Sequence, residues 1–368
     1  MNFVGLPLVG RPQFPKRPGD KRRPNSLPPP FIPSVPHSLI PSIPPAPTPS
    51  LPSSRPLHPF TDNPARSIAA LGEEKLIAAI RRWLGAASPR APFGIGDDCA
   101  VVPAGRAAQL LTVDPVIYGE HFDDRVPARA AGEKLLKRNL SDIAAMGGRP
   151  RAAVVALALD RRVKLTWLEA FYRGLAATGR RYRVPIVGGD VAHQCAGIVA
   201  TLTLVGEASG PRILTRRGAR AGDWIYVTGE LGGSLPSRHH YRFTPRLAEG
   251  AWLARRAEVR AMMDVSDGLA KDLHALTPRG AAPALVAESL PCRRNCDVRA
   301  ALCDGEDYEL LFEVAAPADR AAFERAWRRA FPRTRLSCLG RFVRRGQLPR
   351  DAIDLDALHG YEHLSASR

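Results

Sequence analysis

From Gln109 onward, short β-rich runs alternate with longer segments of helical spacing, and this alternation restricts the fold more than any other feature of the chain. "AQLLTVDPVI", "RAAVVALAL", "VPIVGGD", "GIVATLTLVGEA", "WIYVTG", "DYELLFEVA" and "RLSCLGRFV" read as strands. "CAVVPA" reads as a further strand ahead of them, and "APALVAESL" as one among them. "ARAAGEKLLKRNLSDIAAMGG", "KLTWLEAFYRGLAATGRRY", "DGLAKDLHAL", residues 245–261 and "DRAAFERAWRRAF" repeat apolar residues at the helical period. Ahead of all these, Leu71, Leu76, Ile77, Ile80 and Leu84 mark a helix stopped by Gly85. Such an order predicts an α/β (α+β) protein. At 368 residues the chain has room for two domains, and "RAGDW" near Gly222 is the candidate join.

The front of the chain departs from this pattern. Residues 1–66 hold 19 of the 35 prolines, and such a run is predicted to stay disordered because it can neither bury enough apolar surface nor sustain backbone ladders. It reads as a polyproline ligand or as a dispensable tail. The tail carries +6 of the chain's formal +17, so residues 67–368 are basic as well. A basic body attracts phosphorylated ligands, anionic lipid or nucleic acid, but no nucleic-acid module signature is present. No apolar run reaches the length of a membrane span. Six scattered cysteines fit free thiols in a reducing compartment, so the cytoplasm is the expected location.

Carboxylates recur at strand and helix ends beside small residues. They are Asp97 and Asp98 in "GIGDD", Asp114 in "LTVD", Asp142 in "NLSD", Asp190 in "VGGD", Asp264 and Asp267 in "DVSDG", and Glu306 and Asp307 in "DGEDYEL". Any one of these reads equally as a turn residue or helix cap, and in "DVSDG" Ser266 or Asp267 is placed to cap the next helix. Their recurrence points further, because clustered carboxylates repel unless a cation neutralises them. An oxygen-only donor set suits Mg²⁺ or Ca²⁺, and without a twelve-residue calcium loop Mg²⁺ is favoured. Magnesium held this way completes its shell with substrate phosphates, which suggests a nucleotide enzyme. No P-loop, dinucleotide or protein-kinase motif is present.

In this order, "GIGDDCAVV", "TVDPVIYGEHF", "NLSDIAAMGG", "FYRGL", "IVGGD", "ILTRRGARAGDWIYVTG", "DVSDGL" and "GEDYELLF" resemble the thiamine-monophosphate kinase family. The resemblance runs from about Leu71 to Leu364. It implies a two-domain fold like that of aminoimidazole ribonucleotide synthetase. After the tail, 1–66, an N-terminal ATP- and Mg-binding α/β domain, 67–210, would dimerise through its sheet. A C-terminal α/β domain, 211–368, would follow, with ATP between the two. It further implies that Asp98, Thr112, Asp114, Asp142, Asp190, Asp264 and Asp267 hold several Mg²⁺ ions, with Val113 contributing backbone. Asp98, Tyr172, Gly189, Asp190, Arg216 and Ser266 would meet the nucleotide, and His121, Glu306 and Tyr361 the thiamine phosphate. Tyr172, His121, Arg216 and Tyr361 each also read as structural or solvated residues. Asp97 reads as a further ligand or as a residue that only orients its loop. Val113 and Pro115 stand where many relatives have Thr, and residues 233–244 carry no assigned role.

The implied reaction passes the γ-phosphate of ATP to thiamine monophosphate, in line and without a phosphoenzyme. A phosphate acceptor is already anionic, which agrees with the lack of a Ser–His or His–Asp nucleophile set. Two other readings stay open. One is an ATP-dependent synthetase acting on aminoimidazole ribonucleotide precursors or selenide, against which stands the lack of cysteine before Cys99. The other is an inactive binding protein, against which stands the retained acidic set.

Overall fold

The computed structural model describes residues 58–361 except 72, 91, 92, 94, 96–104, 106 and 195. Asp97, Asp98, the "CAVVPA" run and most of the proline-rich tail lie outside the described residues. The ordered body starts earlier than Leu71, because residues 58–66 dock on it. Lys164 N donates to Pro59 O at 2.7 Å, and Thr61 N to Arg162 O at 2.8 Å. The Phe60 ring meets Tyr118 edge-on at 5.3 Å.

Helix α1 (Glu73–Leu84) precedes the first sheet. That sheet comprises β1 (Gln109–Ile117), β2 (Gly148–Leu159), β3 (Ile186–His193) and β4 (Ile198–Ala208), in the order β1-β4-β2-β3. Helices α2 (Ala128–Ala145) and α3 (Leu165–Tyr182) cover one of its faces. Leu135, Leu136, Leu140 and Ile143 of α2 meet Trp167, Phe171 and Leu175 of α3 and alternate residues of β2 and β4 in one apolar core. The two helices cross so closely that a Cβ at Gly132 would stand 2.0 Å from Phe171 O, and one at Gly174 would stand 1.9 Å from Arg129 O. Among the described residues nothing covers the other face of the sheet at β1, where Leu111 is 73% and Val113 58% exposed.

The stretch 209–223 leads to a second sheet of β5 (Trp224–Thr228), β6 (Val259–Asp264), β7 (Ala281–Leu285), β8 (Leu310–Val314) and β9 (Leu336–Arg344), in the order β6-β8-β5-β9-β7. Between β5 and β6 come α4 (His239–Arg242) and α5 (Leu247–Leu253). Helices α6 (Leu269–Leu276) and α7 (Val298–Cys303) pack on one face, and α8 (Arg320–Ala330) with α5 on the other. Ala144 and Ala145 join that second cluster, so α2 touches both sheets.

Residues 245–261 are not one helix. Helix α5 stops at Leu253, and Val259 begins an edge strand paired to β8. "VRAMMD" is buried almost throughout, which removes the period-two signal a half-buried strand would show. Among the described residues no helix is long and apolar enough to cross a membrane.

Candidate active site

Helix α2 carries the first wall of the site. Lys134, Arg138 and Asp142 recur every four residues, and this polar row faces the second sheet rather than solvent. Lys134 is fully buried and donates to His121 O at 2.7 Å, while its ammonium lies 2.6 Å from Glu306 Oε1 and 3.1 Å from His240 Nδ1. Ser141 donates to Asp264 Oδ2 at 2.6 Å, tying α2 to the end of β6. Thr112, pointing inward from β1, donates to Asp142. Asp114, two residues further along the same strand face, lies 3.5 Å from Arg138 Nη2.

The opposite wall comes from two loops of the second sheet. After Asp264 the chain turns through Val265–Gly268 into α6, and Asp272 Oδ2 accepts the amides of Ser266 and Asp267 at 2.9 and 3.0 Å. Ser266 and Asp267 therefore do not cap α6; Gly268 takes that position. Lys271 bridges Asp267 Oδ2 (2.9 Å) and Tyr361 O (2.7 Å), and Tyr361 N donates to Asp267 O at 2.8 Å. The loop ahead of β8 holds Glu306 and Tyr308 at positive φ, +66° and +52°. Residues 233–244 brace this loop. Ser234 donates to Gly305 O at 2.5 Å, His239 Nε2 lies 2.9 Å from Asp307 O, and Phe243 stacks on Tyr308 at 4.1 Å.

Together these walls enclose a cavity of about 610 Å³. Asp114, Asp142, Asp264, Asp267, Ser266, Arg216, His121, Glu306 and Tyr361 all line it, and Thr112 reaches it through Asp142. Arg138, Tyr308 and Ser234–Pro236 line it as well and were not foreseen. The spacing of Lys134, Arg138 and Asp142 was a readable signal for the first of these. Residues 234–236 enter by contacts distant in sequence, which leave no local mark.

Three expected residues sit elsewhere. Tyr172 is a core residue, 3% exposed, packed against Trp83 and Phe171. Gly189 and Asp190 lie on β3, at the far edge of the first sheet from β1, three strands or about 14 Å away. Asp190 pairs with the outward-facing Ala156, whereas Asp114 is in register with Leu202 and Val155 of the buried face. Asp190 and Asp114 thus project from opposite faces.

Burial, reinforced by the charges of Asp264 and Asp114, pushes Asp142 up to about 8. Burial likewise raises Asp264, with Asp114 adding to it and the Ser141 hydroxyl opposing. Burial also works against a charge on Glu306, but the hydrogen bond to His240 and the ammonium of Lys134 outweigh it and hold the carboxyl at about 2. The cavity therefore has an ionised carboxylate paired with Lys134, and the carboxyls of Asp142 and Asp264, whose charge burial and mutual repulsion oppose. Hard oxygen donors in mutual repulsion fit a divalent cation such as Mg²⁺. Among the described residues, no three His, Cys, Asp or Glu side chains already stand close enough to hold one.

Residues 96–208 match the family model for AIR synthase related protein, N-terminal domain. A thiamine-monophosphate kinase of Rhodopirellula baltica is 34% identical over 256 residues, covering 64% of this chain and 80% of that protein. The crystal structure of thiamine-monophosphate kinase from Stenotrophomonas maltophilia K279a superimposes with a TM-score of 0.63 at 30% identity, over 72% of this chain and 93% of that one. AaThiL complexed with AMPPCP and TMP superimposes with a TM-score of 0.58 at 28% identity, over 81% and 98%.

Proposed function

The chain belongs to the thiamine-monophosphate kinase family, and from that premise we propose that the cavity between its two sheets brings ATP and thiamine monophosphate together for phosphate transfer. The enzyme is an ATP-dependent kinase that passes the γ-phosphate to thiamine monophosphate, giving thiamine diphosphate and ADP. The observation that carries the assignment to this cavity is its polarity. Asp142 and Asp264, with Asp114 beside them, carry charge that burial and one another oppose, while Glu306 is held ionised by His240 and Lys134.

We assign the metal-holding role to Thr112, Asp114, Asp142, Asp264 and Asp267, with Asp98 joining them. Bound Mg²⁺ would neutralise the phosphates and the aspartates at once. Arg216 and Ser266 face the nucleotide, and His121, Glu306 and Tyr361 the thiamine phosphate. Asp190, Gly189 and Tyr172 have no part in this cavity within one chain. The acceptor oxygen is anionic near neutral pH, so these residues position the phosphates and the cation that neutralises them rather than abstract a proton, and transfer is direct.

The bare face of the first sheet, with Leu111, Val113 and Val154 exposed, supports a homodimer formed through that face. Light scattering should give twice the chain mass, and a monomer would remove this reading. The described cysteines are free thiols, in keeping with a cytoplasmic enzyme. Incubating the purified chain with thiamine monophosphate, ATP and Mg²⁺ should yield thiamine diphosphate. No product, with turnover instead of an aminoimidazole ribonucleotide precursor or of selenide, would overturn the assignment.

A further inference from the structure

Arg138 sits in the middle of the polar row on α2, one turn beyond Lys134 and one turn short of Asp142. Each step is about 6 Å along the helix axis. Its neighbours in the row have close partners, Lys134 in Glu306 and Asp142 in Thr112. Arg138 has less. The side chain is 8% exposed; Nη1 donates to Pro115 O at 2.6 Å, and Nη2 comes no nearer than 3.5 Å to Asp114 Oδ1. Its Nε is buried without a hydrogen-bond partner.

A guanidinium offers five N–H donors in a rigid planar fork. A buried one with a single short hydrogen bond and one loose ion pair is costly unless a further acceptor completes it. Burial works against its charge, but Tyr308, Asp114, Glu306 and Asp142 together prevail, so it stays a cation. Because the side chain lines the cavity, the missing acceptor can arrive with a ligand.

We propose that Arg138 is a substrate-binding residue whose guanidinium takes the phosphate of thiamine monophosphate, the acceptor group of the transfer. The place follows from the helix. Glu306, expected at the thiamine end, meets α2 one turn before Arg138, and the metal-type aspartate follows one turn after. The acceptor phosphate has to lie between those two ends. A planar fork matches phosphate oxygens in pairs, and the permanent charge serves whether or not a divalent cation is bound. The inference rests on the proposed function and adds a residue to it.

A merely structural Arg138 would strap β1 to α2 through Pro115, and its loss would weaken every ligand alike. Titration calorimetry on the full chain without Mg²⁺, using thiamine monophosphate and thiamine as the two probes, separates the cases. Wild type should bind the phosphorylated probe more tightly. Arg138→Gln should lose about 10- to 100-fold for thiamine monophosphate, the worth of one charge-assisted hydrogen bond, while thiamine affinity stays within about twofold. Arg138→Lys, which keeps a cation, should lose less; if Arg138→Gln fails to fold, the same phosphate-selective loss read in Arg138→Lys supports the inference. Equal losses for both probes, or none, overturn it. A wild type that binds neither probe overturns both this inference and the function on which it rests.

Discussion

Lys134 and Glu306 meet at 2.6 Å across the seam between the two sheets, one on the helix that covers the first sheet and the other on a loop of the second. The Lys134 ammonium pairs with Glu306, donates to the His121 carbonyl and lies 3.1 Å from His240 Nδ1. Glu306 takes a left-handed backbone conformation that side chains rarely adopt, and it lines the cavity.

Breaking this pair from one side should be expensive. Lys134→Met leaves the half-buried Glu306, 21% exposed, without its cation and is expected to cost about 3 kcal/mol in urea unfolding, the lower end for a broken buried pair. Adding Glu306→Gln should recover part of that loss, and a double-mutant cycle isolates the coupling. Strictly additive losses would show that the two side chains do not depend on each other.

The same pair sets an acid limb. Glu306 is held near 2, below its ordinary value of about 4.5, so its contribution is complete above pH 4.5 and fades as the pH falls towards 2. Stability curves from pH 6 to pH 2 should fall more steeply in wild type than in Glu306→Gln, by about 3 kcal/mol over that range. Parallel curves would place the protonation elsewhere.

The α2–α3 crossing should tolerate no added carbon. Gly132→Ala sets a methyl against backbone, Phe171 O, which cannot move aside as a flexible side chain would. We expect a loss of about 1–3 kcal/mol, the usual range for overpacking, seen as a lowered melting temperature. Since α2 carries Lys134, Arg138 and Asp142, turnover should fall with it. An unchanged melting temperature would mean that the helices part at no cost.

Much of this architecture was legible from local pattern. Leu135, Leu136, Leu140 and Ile143 recur at the helical period because one face of α2 is core, and the alternation along β4 follows from one buried and one open face. Val259–Asp264 was not legible as a strand, because burial on both faces erases the alternation. Site motifs were legible as carboxylates beside small residues, but their assembly was not. The register of β1, β4, β2 and β3 alone decides that Asp114 and Asp190 project from opposite faces. The spacing of Lys134, Arg138 and Asp142 marks a polar row on α2, but only the docking of the second sheet buries Lys134 and sets Arg138 in the cavity. His240 and Ser234 act through partners 66 and 71 residues away in the chain, a separation no short-range pattern encodes.

If the carboxylates gathered in one cavity hold the divalent cation that neutralises and positions the phosphates, transfer is direct and depends on each of them. A single turnover with γ-labelled ATP, thiamine monophosphate and Mg²⁺, followed in wild type and Asp142→Asn, tests it most directly. In wild type the label should pass straight to thiamine diphosphate with no labelled protein. In Asp142→Asn the transfer should slow about 100-fold or more, the scale of losing one preorganised electrostatic group, while the melting temperature is held. An unchanged rate in that variant, or label trapped on the protein, would contradict the account.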